Sequence, residues 1–308
     1  MQIYLPIADL PVNIFLVLAM GLAVGFISGM FGVGGGFLTT PLLIFIGIPP
    51  SVAVATVTAH ITGTSFSGAL TYWRRRAVDP MLAAVLLIGG IVGAAVGVWV
   101  FGALRTAGQL ELTIALSYVT LLGIVGVLMV SESVRAIARA RQGKSAELRR
   151  PGSHIWFHGL PFKLRFKRSK IYASVMPILM IGFSVEFISI LIGIGGGFLI
   201  VPALIYIMRV PTSVVIGTSM TLTLVTMSVA IVMHAATNYQ VDAVLALILI
   251  VGGVIGAQLG LRAGQDMKSE WIRFLLGGLV LAISVRFAFG LVWTPDELFS
   301  IRLIGGLS

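Results

Sequence analysis

Charged residues and cysteine are scarce in this 308-residue chain. Aspartate, glutamate, lysine and arginine make up 10% of it and hydrophobic residues 58%, and the mean hydropathy is +1.06. A soluble domain carries about 25% charged residues, so this chain cannot cover a water-facing surface and its solvent must be lipid. The absence of cysteine excludes disulfides, thiol catalysis and cysteine-bound metals.

The remaining metal-binding and nucleic-acid-binding signals are also weak. His60, His154, His158 and His234 are scattered without metal-ligand spacing, so we predict no metal and no cofactor. The net charge of +10 could suggest a nucleic-acid binder. However, the basic residues lie between apolar runs, as membrane topology requires, and we therefore expect membrane lipids and no nucleic acid as partners.

Ten apolar segments predict an all-α integral membrane protein, with about 8–10 spans of roughly 20 residues each. Segments 36–48 and 196–208 are short, and a triple glycine precedes or opens each of them. Such a break suggests a broken helix or a hairpin that dips into the membrane, and the sequence leaves open whether these two segments cross. The ten segments are 12–31, 36–48, 51–72, 80–101, 109–130, 171–191, 196–208, 212–234, 241–262 and 271–293.

The two halves of the chain repeat each other. Phe26–Pro41 reads FISGMFGVGGGFLTTP and Phe187–Pro202 reads FISILIGIGGGFLIVP, and Val78–Gly97 likewise aligns with Val241–Gly260. Two blocks in the same order indicate an internal duplication, with a first transmembrane repeat over 12–130 and a second over 171–293. At the first block's offset, Thr221 is the counterpart of His60 and Gly217 that of Thr56, so we expect an asymmetric site.

Basic residues set the predicted orientation. Segment 131–170 holds eleven lysines and arginines and two acids, which predicts a cytoplasmic loop. Both termini then lie on the outer side, and Arg105 is the main exception to the charge rule. Five segments per half is an odd number, so the second repeat is inverted relative to the first, an architecture that recurs in transporters.

Glycine turns and hydroxyl-rich helices are the candidate substrate-binding elements. A glycine break leaves backbone N–H groups free at the positive end of a helix dipole, which suits an anion. Close helix packing is the alternative role of glycine, and we favour it for Gly89, Gly90, Gly93, Gly97 and for Gly252, Gly253, Gly256, Gly260. The hydroxyls could instead bond their own helix carbonyls. The candidate residues are Gly34, Gly35, Gly36, Thr39, Thr56, Thr58, His60, Gly195, Gly196, Gly197, Thr218, Ser219 and Thr221.

Ionisable residues inside apolar runs are costly in a membrane, and they are functional or paired. Glu186 and His60 are therefore candidate proton carriers, with a structural hydrogen bond as the alternative for His60. An ion pair with Arg286 is the alternative for Glu186. Asp79 and Asp242 stand at matching helix starts and predict N-caps.

Two other classes of function share some of these features. Ser28 lies in a GxxSG pattern and His60 could be a base, but Ser189 repeats the serine without a matching histidine, so we predict no enzyme. An anion channel shares the predicted fold with a carrier, and the sequence does not separate them.

The paired GxGGGFLxxP turns (Gly32–Pro41 and Gly193–Pro202), the polar helix after each and the later VD…GG..GA motifs resemble the TauE/SafE sulfite-exporter family, also called the TSUP permeases. The resemblance covers about 12–130 and 171–290. It implies transport of small sulfur-containing or organic anions such as sulfite, thiosulfate or sulfonates. It also implies a location in the cell (inner) membrane and coupling to the proton gradient, with the glycine turns and Thr/Ser helices facing the substrate.

Overall fold

The prediction of an all-α integral membrane protein is confirmed. A computed structural model describes residues 2–141, 163–166, 168–169, 171–208, 210–263 and 269–292, and each of the ten predicted segments contains a helix. The helices are α1 (Ile14–Phe31), α2 (Gly36–Phe45), α3 (Pro50–Arg74), α4 (Pro80–Thr106), α5 (Leu110–Ser117), α6 (Gly123–Arg141), α7 (Val175–Ile192), α8 (Gly196–Pro202), α9 (Thr212–Met233), α10 (Ala243–Ala263) and α11 (Ser269–Val292).

Three π-helical turns extend or join these helices: Tyr118–Leu122 between α5 and α6, Ala203–Ile207 after α8, and His234–Asn238 after α9. Among the described residues, seven helical stretches are long and apolar enough to cross a membrane. The hydroxyl-rich α3 is not one of the seven, although it has 25 residues. The seven long apolar stretches are Ile14–Phe31, Pro80–Thr106, Leu110–Ala138, Val175–Ile192, Val214–Asn238, Ala243–Ala263 and Phe274–Val292.

Glycine faces hold α1 against α10 and α4 against α7. A Cβ atom on Gly29 would overlap the backbone of Ala257, and one on Gly93 would overlap the backbone of Phe183. The close-packing role predicted for the glycines of α4 and α10 is therefore confirmed for most of them. Gly90 and Gly253 differ, because a Cβ on them would meet side chains of the polar interior instead: Glu186 and Thr226, or His60 and Thr64.

The contacts also give the directions of the helices. Gly21, Gly25 and Gly29 of α1 meet Leu249, Gly253 and Ala257 of α10 in that order, so these two helices are parallel. By the same reasoning α7 is parallel to α4. Helices α3 and α9 are antiparallel, because Gly68 contacts Met220 whereas Tyr72, further along α3, contacts the earlier Gly217 of α9. Inverted repeats would produce these directions, but the inverted relationship itself stays a prediction.

Both short segments return the chain to the end of the bundle at which the preceding helix begins. Asp242, at the start of α10, accepts a hydrogen bond from Ile7 N (3.0 Å) just before α1, and its own N–H donates to Thr56 Oγ1 (3.0 Å) near the start of α3. Helices α1 and α3 therefore begin at the same end of the bundle, and α2 brings the chain back between them. In the other half, the N–H of Asp79 at the start of α4 donates to Thr218 Oγ1 near the start of α9. Helix α8 therefore returns the chain in the same way.

Two β-hairpins, which the sequence analysis did not predict, precede α1 and α7. Strands β1 (Gln2–Leu5) and β2 (Leu10–Asn13) pair antiparallel, as do β3 (Lys163–Phe166) and β4 (Ile171–Ser174). Their last residues, Asn13 and Ser174, cap the helices that follow. The strands are short and lack a long apolar run, which explains why hydropathy did not reveal them.

Each hairpin is tied to an aspartate of the other half. Asp79 Oδ2 accepts hydrogen bonds from Ser169 N (2.9 Å) and Ser169 Oγ (2.8 Å), and Asp242 Oδ2 accepts the bond from Ile7 N. The Oδ1 atoms accept from the first amides of α4 and α10 at 3.0–3.2 Å, which confirms the predicted N-caps. Most of the predicted cytoplasmic loop 131–170 lies outside the described residues.

We expect Gly29→Ala to destabilise the protein by about 1–3 kcal/mol, because overpacking would push α1 away from α10. Thermal unfolding in detergent measures this. Gly278→Ala is the matched control: it is also helical, but nothing lies within 4 Å of its Cβ position, so it should be neutral or slightly stabilising. Equal effects of the two substitutions would contradict the packing assignment.

Asp242→Ala should cost about 1–2 kcal/mol, since α10 would lose its cap and the first hairpin its tie. Asp242→Asn keeps a capping oxygen and should lose only the bond from Ile7. Unfolding curves of the two variants therefore separate capping from the hairpin tie. Asp242→Ala behaving like the wild type would show that neither interaction matters.

Candidate functional site

The two glycine turns lie against each other at the centre of the bundle. A Cβ atom on Gly36 would approach the carbonyl oxygens of Ile194 and Gly193 to 2.5 and 2.8 Å, and one on Gly197 would approach Val33 O to 2.8 Å. Thr40 Oγ1 donates to Gly193 O (2.8 Å). Only glycine at these positions allows the first turn to touch the second.

The aromatic residues that follow the turns complete this contact. The rings of Phe37 and Phe198 stack with their centroids 4.6 Å apart and an interplanar angle of 17°. The turns lie level with the middle of α3 and α9, because the Cβ position of Gly34 is within 4 Å of Ile61, Ser65 and Thr223. The meeting point is therefore deep within the bundle.

Each turn is left-handed and leaves backbone donors free. Gly32, Gly34 and Gly35 have φ values of +71°, +86° and +76°, and Gly193 and Gly195 have +68° and +87°, conformations that favour glycine. Within the described part of the chain, the amides from Gly34 to Phe37 donate no hydrogen bond. Free amides at a helix start form a positive pole that suits an anion.

Buried hydroxyls without partners surround the turns. Ser28, Ser65, Ser189 and Thr223 are at most 1% exposed, and their oxygen atoms have no hydrogen-bond partner in the part of the chain that the structure describes. Ser65 Oγ and the methyl group of Thr223 lie beside Gly34, and Ser28 Oγ lies beside Gly35. A buried hydroxyl without a partner is costly, so these groups favour a bound acceptor.

His60 is linked to the first turn through Thr39. Its Nδ1 lies 3.0 Å from Thr39 Oγ1, which can also donate to Gly35 O at 3.1 Å. The single hydroxyl proton cannot serve both, so donation to Gly35 O makes Nδ1 the histidine donor. His60 Nε2 faces Gly253 and has no partner among the described residues.

The side chain of Glu186, on α7, lies against the second glycine turn. Its carboxylate lies against Gly196 and its side chain also contacts the site of Gly90. Neither carboxylate oxygen has a hydrogen-bond partner in the described structure, and the proposed ion pair with Arg286 is not formed. Arg286 lies on an exposed face of α11, with its guanidinium 5.3 Å from the centroid of the Phe45 ring.

The structure aligns α3 and α9 differently from the repeat offset. At Gly253 the neighbours are His60 and Thr64, whereas at the matching Gly90 they are Leu222 and Thr226. Leu222, rather than Thr221, is therefore the counterpart of His60. Thr218, rather than Gly217, likewise matches Thr56, because an extra residue lies before α9.

Several predicted hydroxyl ligands are engaged elsewhere. Thr56 and Thr218 accept the N–H groups of Asp242 and Asp79 near the helix starts, so the structure does not bring them to the turns. Thr58, Ser219 and Thr221 donate to carbonyls of their own helices, Ala55 O, Ile216 O and Gly217 O, at 2.6–2.9 Å, as the alternative interpretation expected.

Sequence reasoning did not place Ser28, Ser189 and Thr40 in the site. Their signal was available, because all three stand within or beside the repeated glycine motifs. The unpartnered Ser28 is not hydrogen-bonded to His60, so the pair lacks the contact that activates a serine nucleophile. His234 is buried, and its ring makes a T-shaped contact with Phe101.

A family model and several curated relatives match nearly the whole chain. The family model described as sulfite exporter TauE/SafE matches residues 17–287. "Probable membrane transporter protein YjnA" of Bacillus subtilis is 27% identical over 280 residues, which cover 88% of this chain and 98% of the relative. "Probable membrane transporter protein" of Xylella fastidiosa is 28% identical over 283 residues, covering 89% and 94%.

A plant protein matches a shorter region. "Sulfite exporter TauE/SafE family protein 3" of Arabidopsis thaliana is 35% identical over 69 residues, which cover 22% of this chain and 14% of the relative. No solved structure matches the chain. Because the family model covers both halves and the meeting point of the glycine turns, the chain belongs to the sulfite exporter TauE/SafE family of multi-pass membrane proteins.

Proposed function

We propose that this membrane transporter is a secondary exporter of a small sulfur-containing or organic anion, such as sulfite, thiosulfate or a sulfonate. The anion binds where the two glycine turns meet. The halves, related as inverted repeats, expose that site alternately to the two sides of the cell (inner) membrane, with the termini outside and the 131–170 loop in the cytoplasm. Family membership and the names of the relatives support a transporter.

One observation carries the proposal: residues with unpartnered hydroxyls reach the Gly34 turn from both halves. Ser65 of α3 presents its Oγ to Gly34, and Thr223 of α9 contacts the same glycine through its methyl group, with its unpartnered hydroxyl on the same carbon atom. Together they can replace the water shell of an oxyanion without a permanent buried charge. A permanent cation would hold the anion tightly and slow its release, whereas neutral donors permit turnover.

The burial of the site favours a carrier over a channel. Ser65, Thr223, His60 and Glu186 are 0% exposed, so protein covers the site on both sides. A carrier must pass through such a closed state, whereas an open channel needs a continuous water path. Single-channel currents, or turnover far above carrier rates, would favour the channel instead.

The proposed coupling to protons uses the two ionisable groups that break the symmetry of the site. Glu186 stands where the first half has Gly25, and His60 stands where the second half has Leu222. Each half therefore contributes one titratable side chain next to a glycine turn. An unpaired buried carboxylate is costly, so proton uptake at Glu186 is a natural partner of anion movement.

We expect reconstituted protein to move radiolabelled sulfite, thiosulfate or a sulfonate across liposomes in a saturable way. Thr223→Val should weaken the apparent affinity about tenfold or more, since a hydrogen bond to a charged group contributes about 1.5–3 kcal/mol. Thr221→Val is the matched control on the same helix, because Thr221 donates to Gly217 O. No transport of any anion in the panel would refute the proposal, and equal losses in the two variants would refute this site.

Glu186→Gln should retain exchange of unlabelled for labelled anion but lose acceleration by a pH gradient, because the amide cannot carry a proton. His60→Gln tests the second candidate in the same assay, and the exposed Glu111→Gln is the control. Unchanged pH-gradient dependence in both Glu186→Gln and His60→Gln would remove these residues from coupling.

A further inference from the structure

A cavity of about 670 Å³ opens at the end of the bundle where α4 and the π-helical turn after α9 meet. It is amphipathic: Val98, Trp99 and Met233 supply apolar walls, whereas Arg105, Thr106 and Asn238 supply polar ones. Gly102 forms part of the floor, and a Cβ there would approach Asn238 Oδ1 to 2.8 Å. This cavity is separate from the meeting point of the glycine turns.

Arg105 is the basic residue that the charge rule did not explain. Its Nη1 donates to Asn238 O at 3.0 Å, the main-chain oxygen that ends the π-helical turn. A guanidinium has five N–H donors in a rigid fork, so this bond positions the group and leaves further donors for a ligand. The structure thus holds a cation at the rim of the cavity, with Thr106 on the same helix end.

A second, more open cavity adjoins the first at Met233 and runs along α9. It has about 410 Å³, shares Met233 with the first cavity and is lined by Leu224, Val225, Val229 and Val232 of α9. Its one hydroxyl, on Ser228, donates to Leu224 O (2.6 Å) of its own helix. From Met233 back to Leu224 the helix spans about 14 Å at 1.5 Å per residue, which is long enough for much of an acyl chain.

We propose that these two cavities form one binding site for a phospholipid of the surrounding leaflet. The phosphate lies against Arg105, and one acyl chain follows α9 past Met233 to Leu224. Trp99, which lines the first cavity and is 73% exposed, is an amphipathic aromatic residue of the kind that favours the membrane interface. With the orientation predicted from the basic residues, this is the outer leaflet.

Charge and shape together favour a lipid over a free anion. A small oxyanion would use only the rim with Arg105 and would leave the apolar cavity empty. A lipid without a phosphate would fill the apolar cavity and leave the guanidinium without an anionic partner. A phospholipid uses both, and the proposal does not depend on which anion the protein transports.

The test measures phospholipid binding to delipidated full-length protein by native mass spectrometry, titrating phosphatidylglycerol and, separately, diacylglycerol. We expect the wild type to bind one phosphatidylglycerol in preference to diacylglycerol. Arg105→Gln should weaken phosphatidylglycerol binding about fivefold, the effect of one basic residue near a membrane surface, and should remove the preference. Val229→Trp, which fills the apolar cavity and retains Arg105, should also weaken binding.

Two matched controls and one competition keep this test decisive. Arg262→Gln removes another exposed arginine at a helix end, and Val251→Trp enlarges another exposed apolar residue; both should bind as the wild type does. Millimolar inorganic phosphate or sulfite should not displace the lipid. Wild-type affinity in both Arg105→Gln and Val229→Trp, or displacement by either free anion, would overturn the proposal.

Discussion

Backbone contact between helices is what the rest of this structure depends on. Lipid gives apolar helices no hydrophobic reason to associate, so close packing must hold them together, and glycine is what permits it. Here the two glycine faces join helices of opposite halves, α1 with α10 and α4 with α7. Because each half supplies one partner to each pair, the halves interlock, and this places the two glycine turns in contact.

That contact makes broken helices tolerable inside a membrane. An unpaired amide or hydroxyl in lipid is expensive, and irregular backbone survives there only when protein or a wet cavity surrounds it. The turns at Gly34 and Gly195 each shield the other from lipid, and α3 and α9 cover them on the remaining sides. Within the described residues, most of the buried side-chain polar atoms that stay unpaired lie around the turns, and several donors in one place are what selective binding of an anion requires.

Hydropathy and internal repetition predicted much of this architecture. The ten apolar segments and the aspartate caps depend on local sequence, so they could be read directly. The return of α2 and α8 could not, because it depends on which helix ends share Asp242 or Asp79. The partners of the threonines could not be predicted either, because Thr221 and Thr223 look alike in sequence. Only the packing decides that Thr221 donates to its own helix whereas Thr223 contacts the turn and keeps an unpartnered hydroxyl.

The interlocking of the halves has a consequence for biosynthesis. Gly29 leaves the ribosome long before Ala257, whose backbone it contacts, because the two residues are far apart in the sequence. Until then α1 has a bare glycine groove facing lipid or the insertion machinery, and the free amides of the first turn are equally unprotected. The packing of α1 is therefore complete only after α10 has been made, and a nascent chain that stalls after α6 would leave α1 without its partner helix.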